Sequence, residues 1–200
     1  MTSRVMLISP AVSAALREAR FDDGCSLDAA GVRWAQSAAG TLPTADRVFA
    51  SPSVRCRETA AGLGLDAVPL PDVAGWAVGR WRGRTLEEVT AAEPEAVAAW
   101  LADPGCAPHG GESLLELCDR VGGWLDAVAG EAVRVIAVAE PEAVRAAAVR
   151  ALGVTAEAFW RIDVPPLSAL EFSGRAGRWN VRAGRPLGDA SSAPRSVDGH

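Results

Sequence analysis

The chain has 200 residues, 49% hydrophobic and 22% charged, with a formal net charge of −5 at neutral pH. That length suits one domain able to bury a sizeable core, the composition is globular rather than disordered, and the acidic balance excludes a general nucleic-acid binder. All 20 basic residues are arginine, and lysine and tyrosine are absent, a coding bias that carries no functional weight.

The first apolar run, Arg4-Val5-Met6-Leu7-Ile8, is too short for a signal-peptide core, and no stretch approaches a membrane span. The expected location is cytoplasmic, away from membranes. The same run has the form of a strand buried on both faces of a parallel sheet. It ends at Ser9-Pro10-Ala11, and a helix is expected over 12–19. Asp28 is placed to N-cap a second helix over 27–39.

A short strand, Arg47-Val48-Phe49-Ala50, leads into Ser51-Pro52, which reads as a helix start because serine caps well and proline suits the first helical position. Arg55 then lies inside that helix near a strand end, a good place to hold an anion. A Pro- and Gly-rich loop over 64–83 carries Trp76, Trp81, Arg80 and Arg82. Tryptophan and arginine are enriched at protein interfaces; solvated arginines are the plain alternative.

Two short helices are expected over 85–92 and 94–101, divided at Glu93-Pro94. After a loop, Ser113 opens an amphipathic helix to Val128 with Leu114, Leu117, Val121, Trp124 and Val128 on one face. A second buried strand over 133–138 runs into Glu140-Pro141 and an alanine-rich helix to Leu152. Strand-like segments over 160–164, 168–172 and 178–181 close the chain. Residues 1–184 are expected to form one domain and 185–200, without apolar pattern, a disordered tail containing His200. Cys25, Cys56, Cys106 and Cys118 have neither metal-ligand nor disulfide-framework spacing and are expected to be buried free thiols. The alternation implies an α/β fold: a mostly parallel central sheet with helices on both faces.

Six segments, in order, resemble the motifs of the histidine phosphatase (phosphoglycerate mutase-like) superfamily. Leu27-Asp28-Ala29-Ala30-Gly31 is similar to its L-T-x-x-G, and Ser51 through Ala60 to its S-P-x-x-R-x-x-x-T-A box. Gly79-Arg80-Trp81-Arg82-Gly83-Arg84-Thr85-Leu86 resembles G-x-W-E-G-R-T-L, and His109-Gly110-Gly111-Glu112-Ser113 the P-x-G-E-S loop. Arg120 matches a frequent family arginine, and the segment from Val135 to Arg145 stands where V-V-S-H-G-G-V-I-R-A would. The resemblance implies the fold of that superfamily and a pocket lined by Ser9, Pro10, Arg55, Arg80 or Arg82, His109 and Glu140, at the carboxyl ends of the strands where open α/β sheets place ligands.

The same resemblance implies a departure in chemistry. The family's first strand ends in L-V-R-H-G, whose histidine accepts the phosphoryl group; here the place reads Leu7-Ile8-Ser9-Pro10-Ala11. Proline has neither nucleophile nor ionisable group. Glu140 stands for the second histidine, and at about 4 Å and an effective dielectric near 20 a like-charge contact with a phosphate costs on the order of 4 kcal/mol. The acid expected before G-x-W is missing from Gly75-Trp76-Ala77-Val78. Of the family's core groups only Arg55 remains. His109 is expected at the loop surface, with the pocket rim as the alternative.

Three readings follow. The first is a pseudophosphatase that binds a small molecule or a protein, with a zwitterionic or anionic ligand fitting Arg55 opposite Glu140. The second is an enzyme of another class with Glu140 as acid/base and Arg55 as anion clamp, for which a helix-terminal carboxylate or an Arg55–Glu140 ion pair is the plain alternative. The third is a working phosphatase with Ser9 as nucleophile. No metal or cofactor is required by any of them, and a homodimer is compatible with all.

Overall fold

The computed structural model describes residues 2–175 and 177–188. Six strands form one sheet in the order β3-β2-β4-β1-β5-β6: β1 Ser3–Ile8, β2 Arg47–Ala50, β3 Val68–Pro69, β4 Arg134–Val138, β5 Ser168–Arg175 and β6 Arg178–Pro186. The pairs β1–β4, β2–β4 and β2–β3 are parallel, whereas β1–β5 and β5–β6 are antiparallel. The α/β class with a mostly parallel sheet is therefore as expected. β1 is an interior strand between β4 and β5 and has helices packed on both faces, which is why its sequence is continuously apolar rather than alternating.

The helices are α1 Ala14–Arg17, α2 Ala29–Ser37, α3 Val54–Gly62, α4 Leu86–Ala92, α5 Pro94–Ala102, α6 Leu114–Ala129 and α7 Pro141–Leu152. Side chains alternate across a strand. Val5, Leu7, Val135 and Ala137 accordingly pack with α6 and α7, while Met6, Ile8, Ile136 and Val138 pack with α2 and α3 on the opposite face. Asp28 caps α2 by accepting the Gly31 N–H at 2.6 Å. Ser113 and Glu116 close a capping box at the start of α6, and Thr85 and Glu88 do the same for α4.

Several boundaries differ from expectation. Helix α3 starts two residues after the Ser51-Pro52 dipeptide: Ser53 is its N-cap and accepts from the Cys56 N–H. Ser51 instead extends the sheet by donating its backbone N–H to the Val138 carbonyl at 2.7 Å. Residues 160–164 form no strand, because Ala156–Arg161 is a 3₁₀ helix that buries Phe159. The short β3 lay inside what read as loop; one of its two residues is a proline, a weak signal for an edge strand. The boundary expected at 185 falls inside β6, and Leu187 beyond it is buried, with its carbonyl accepting from the Trp34 indole. Residues 189–200, including His200, lie outside the described residues. Of the four cysteines only Cys56 is buried; Cys25, Cys106 and Cys118 are half-exposed free thiols. No helix among the described residues is long and apolar enough to cross a membrane.

The turn from β1 into α1 lies directly on α2. The Val12 carbonyl accepts from the Asp28 N–H at 3.2 Å, and a Cβ at Gly31 would come within 2.3 Å of that oxygen. A Gly31→Ala variant must displace backbone and is expected to lose roughly 1–3 kcal/mol, read as a lower urea midpoint with an unchanged slope.

Candidate functional site

Strands β1, β2 and β4 are parallel and in register, so their carboxyl ends emerge together. The Ala139 N–H donates to the Ile8 carbonyl and the Ser51 N–H to the Val138 carbonyl, which sets Ser9, Ser51 and Glu140 side by side. Helix α3 is fastened to the same edge: Thr59 Oγ1 accepts the Ala11 N–H at 3.0 Å and donates to the Arg55 carbonyl at 2.7 Å. Arg55 and Glu140 thereby meet. Arg55 Nε donates to Glu140 Oε2 at 2.9 Å and Nη2 donates to the same oxygen. The residues are only 5% and 1% exposed, so the pair is desolvated.

The pair decides the electrostatics of the site. Burial alone would lower the Arg55 pKa, but the charge and hydrogen bonds of Glu140 outweigh it and raise it. Asp22, 3.9 Å from Arg55 Nε, adds a second negative neighbour. Glu140 Oε1 is buried and has no partner among the described residues, and the same holds for Glu142 Oε2 and Arg145 Nε. Burial, followed by the Glu140 charge, pushes Glu142 up; the same two causes raise the neighbouring Cys56 thiol well above its ordinary value. The Arg145 guanidinium lies 5.6 Å from the Phe159 ring centre, within reach of a cation–π contact.

The other expected pocket residues are placed differently. Ser9 Oγ donates to the Pro165 carbonyl at 2.6 Å and accepts the Ser168 N–H at 3.0 Å. Its proton is committed to a backbone carbonyl, with no base beside it. Pro10 is buried, and its carbonyl accepts from the Leu167 N–H. Arg80 leaves the pocket altogether and pairs with Glu93 and the Pro108 carbonyl at the surface. Arg82 is exposed and extends along Gly24, at the outer side of the turn that carries Asp22.

His109 is not the surface residue expected; it is 1% exposed. Its ring lies edge-on to Trp76, Trp81 and Trp100, at 6.3, 5.0 and 6.5 Å between centres. Nδ1 accepts the Gly111 N–H at 3.0 Å, so Nε2 carries the proton, and it is unpartnered. Desolvation, then the nearby Arg80 charge, lowers its pKa. No contact brings it to Arg55 or Glu140, because the 75–79 segment intervenes. Gly75 faces Glu140, where a Cβ would approach the Glu140 side chain to 3.1 Å. Arg120 pins that segment by donating to the carbonyls of Asp72, Ala74 and Gly75 while ion-paired to Glu112 at 2.8 Å.

Asp22, Glu142 and Arg145 were not singled out from sequence. Glu142, two residues after Glu140 in a first helical turn, carried a readable signal as a second acid; Asp22, in a polar turn, carried none. Among the described residues no group of three or more His, Cys, Asp or Glu side chains is arranged to hold a metal ion.

A profile described as histidine phosphatase superfamily (branch 1) matches residues 14–184. The chain belongs to that superfamily. The match begins after β1 and the Ser9-Pro10-Ala11 turn. Among curated relatives, a glucosyl-3-phosphoglycerate phosphatase from Mycolicibacterium vanbaalenii is 51% identical over 43 residues, 22% of this chain and 19% of the relative. A bifunctional protein from Mycobacterium tuberculosis is 34% identical over 102 residues, 48% of this chain and 28% of the relative. The matches thus span under a third of those relatives' own lengths.

Solved structures superpose over nearly the whole superfamily domain. A mycobacterial hydrolase gives a TM-score of 0.81 at 21% identity, covering 96% of this chain and 94% of its own. A putative α-ribazole-5′-phosphate phosphatase from Escherichia coli gives 0.80 at 21% identity, covering 94% and 96%. A mycobacterial glucosyl-3-phosphoglycerate phosphatase gives 0.77 at 21% identity, covering 90% and 97%. At these identities the likeness concerns the fold.

Two outcomes are expected. Removing one partner of the buried pair leaves an uncompensated charge, so Glu140→Ala or Arg55→Ala should cost about 3–5 kcal/mol, whereas Arg55→Met with Glu140→Leu should be near neutral or stabilising; urea unfolding of the three variants measures this. The second concerns pH. An unfolded histidine takes up a proton near 6.5, while the folded protein keeps His109 neutral to lower pH. Below that pH the unfolded state binds more protons, so stability is full above about 6.5 and falls as pH drops toward the folded pKa. The loss of stability between pH 7 and pH 5 should be smaller in His109→Gln than in the parent.

Proposed function

We propose that this superfamily member does not transfer phosphoryl groups and that its strand-edge site serves to bind a ligand. The observation that carries the reading is the buried Arg55–Glu140 pair. The arginine that resemblance assigns to gripping phosphate spends two of its three nitrogens on a carboxylate, and Pro10 stands where the acceptor histidine would. A phosphate dianion at this edge would have to displace Glu140 from Arg55 and then lie against it. Names of relatives alone would suggest a phosphatase, but the Ser9 hydroxyl that follows β1 donates to a carbonyl and has no base beside it among the described residues.

The ligand class follows from what remains unpartnered. Glu140 Oε1 and Glu142 Oε2 are acceptors and Arg145 Nε is a donor, a mixed set that suits a zwitterion better than a phosphate ester. One observation favours a second reading, proton-transfer catalysis of another class: the unpartnered Oε1 leaves Glu140 a lone pair with which to act as acid/base.

Purified protein assayed with an aryl phosphate and a panel of sugar and glycerate phosphates should give no turnover above an Arg55→Ala background, and millimolar inorganic phosphate should leave its melting temperature unchanged. An intact family member is the positive control. Turnover well above background that disappears in Arg55→Ala would establish a replacement nucleophile and would falsify the proposal.

A further inference from the structure

The end of the sheet opposite Arg55 and Glu140 carries a groove of about 870 Å³, within the range of roughly 300–1,000 Å³ usual for small-molecule sites. Helices α2 and α3 cover only the upper part of their face of the sheet. At the lower end of that face, strand alternation with the observed register determines what the sheet presents. Arg4 pairs with Arg134 across β1 and β4 and with Ser173 on β5. Glu171 lies beside Met6 on one side and Arg182 on the other. The 41–43 segment that follows α2, with Leu42 and Pro43, forms the facing wall.

The charge arrangement is unfavourable as it stands. Like charges directly opposite on neighbouring strands destabilise a sheet, yet Arg4 and Arg134 occupy such a pair. Among the described residues neither guanidinium has a carboxylate within ion-pair distance; Arg134 Nη1 reaches only the Thr44 carbonyl, at 3.4 Å. Asp46, the nearby acid, spends its Oδ2 on the Arg134 backbone N–H instead, at 2.7 Å. Arg182 shares Glu171 at 3.8 Å, with 81% of its side chain exposed. The groove therefore holds three cations to one anion on a chain whose net charge is −5. Beneath the two arginines Met6 and Ile136 are closed into the core, at 7% and 1% exposure, and the apolar surface left to a ligand is that of Leu42 and Pro43 in the facing wall.

We propose that this groove binds an amphipathic anion, a carboxylate, phosphate or sulfonate head carried on a hydrocarbon body. The head lies between Arg4 and Arg134 and relieves their repulsion, and the body lies along Leu42 and Pro43. The site is independent of the strand-edge pair, at the other end of β1 and β4, so the two proposals stand or fall separately.

The test uses the full chain at low salt with 8-anilinonaphthalene-1-sulfonate as fluorescent probe. Saturable one-site binding is expected, displaced by decanoate and not by decylammonium, which has the same tail and the opposite head. Arg4→Ala and Arg134→Ala should each weaken the probe roughly ten- to a hundredfold, with urea midpoints equal to or above the parent's because the repulsion is relieved, while Arg57→Ala on the exposed side of α3 leaves it unaltered. Equal displacement by decylammonium would mean a merely greasy surface and would overturn the proposal, as would undiminished binding in Arg134→Ala. A halving of the sedimenting mass in Arg134→Glu would assign the groove to a second copy of the chain, and overturn it also.

Discussion

Two opposite charges withdrawn from water at the mouths of three parallel strands govern this molecule. Arg55 and Glu140 come from segments far apart in sequence, and each is tolerable inside the protein only because the other is there. Around them the chain is arranged to keep the contact dry. Gly75 brings backbone against the Glu140 side chain, close enough that a Cβ there would lie 3.1 Å from it. Arg120 holds the 72–75 carbonyls in place, and Thr59 ties α3 to the end of β1. Such pairs contribute little net stability compared with an apolar replacement, but they penalise every arrangement in which the partners separate.

The pair also reorganises what a phosphatase fold can do at this edge. In a phosphate site an arginine offers its fork to solvent and to an incoming anion. Here the fork faces inward and is answered by protein. The neighbouring groups, Glu142, Arg145 and Asp22, place charges of both signs around it. The tryptophan-lined chamber holding His109 is a separate matter. Its histidine is a packing residue with one satisfied nitrogen, screened from the ion pair by the 75–79 segment.

The fold was largely legible in the sequence because its signals are local and redundant. The uninterrupted apolar run of β1, the caps Asp28 and Ser113, and the Glu93-Pro94 break each state one element, and the motif order states how they assemble. Failures came where two local signals competed or where tertiary contact overrode them. Ser51-Pro52 and Ser53 are both plausible caps, and the choice was made by the sheet, which claimed the Ser51 N–H for β4. Residues 160–164 have strand-like composition, but burying Phe159 in the core winds the preceding turn into a 3₁₀ helix. At the site, the identities of Pro10, Arg55 and Glu140 were readable, while their partners were not: composition does not reveal that Arg80 turns outward to Glu93 or that a loop histidine is buried under three indoles. Long side chains choose among several nearby partners by small differences in solvation and reach, and those are properties of the assembled surface.

The strand order carries a consequence for how the chain comes into being. β1 precedes the other described elements of the domain, yet both its neighbours in the sheet, β4 and β5, come after α6. During vectorial synthesis β1 has no native sheet neighbour until β4 and β5 have left the ribosome, and Ser9 waits for Pro165 and Ser168. Contacts of such large sequence separation slow folding and leave hydrophobic strand edges open in the interval. The strand order thus places the docking of β5 onto β1, rather than formation of the helices, as the step that limits refolding from denaturant.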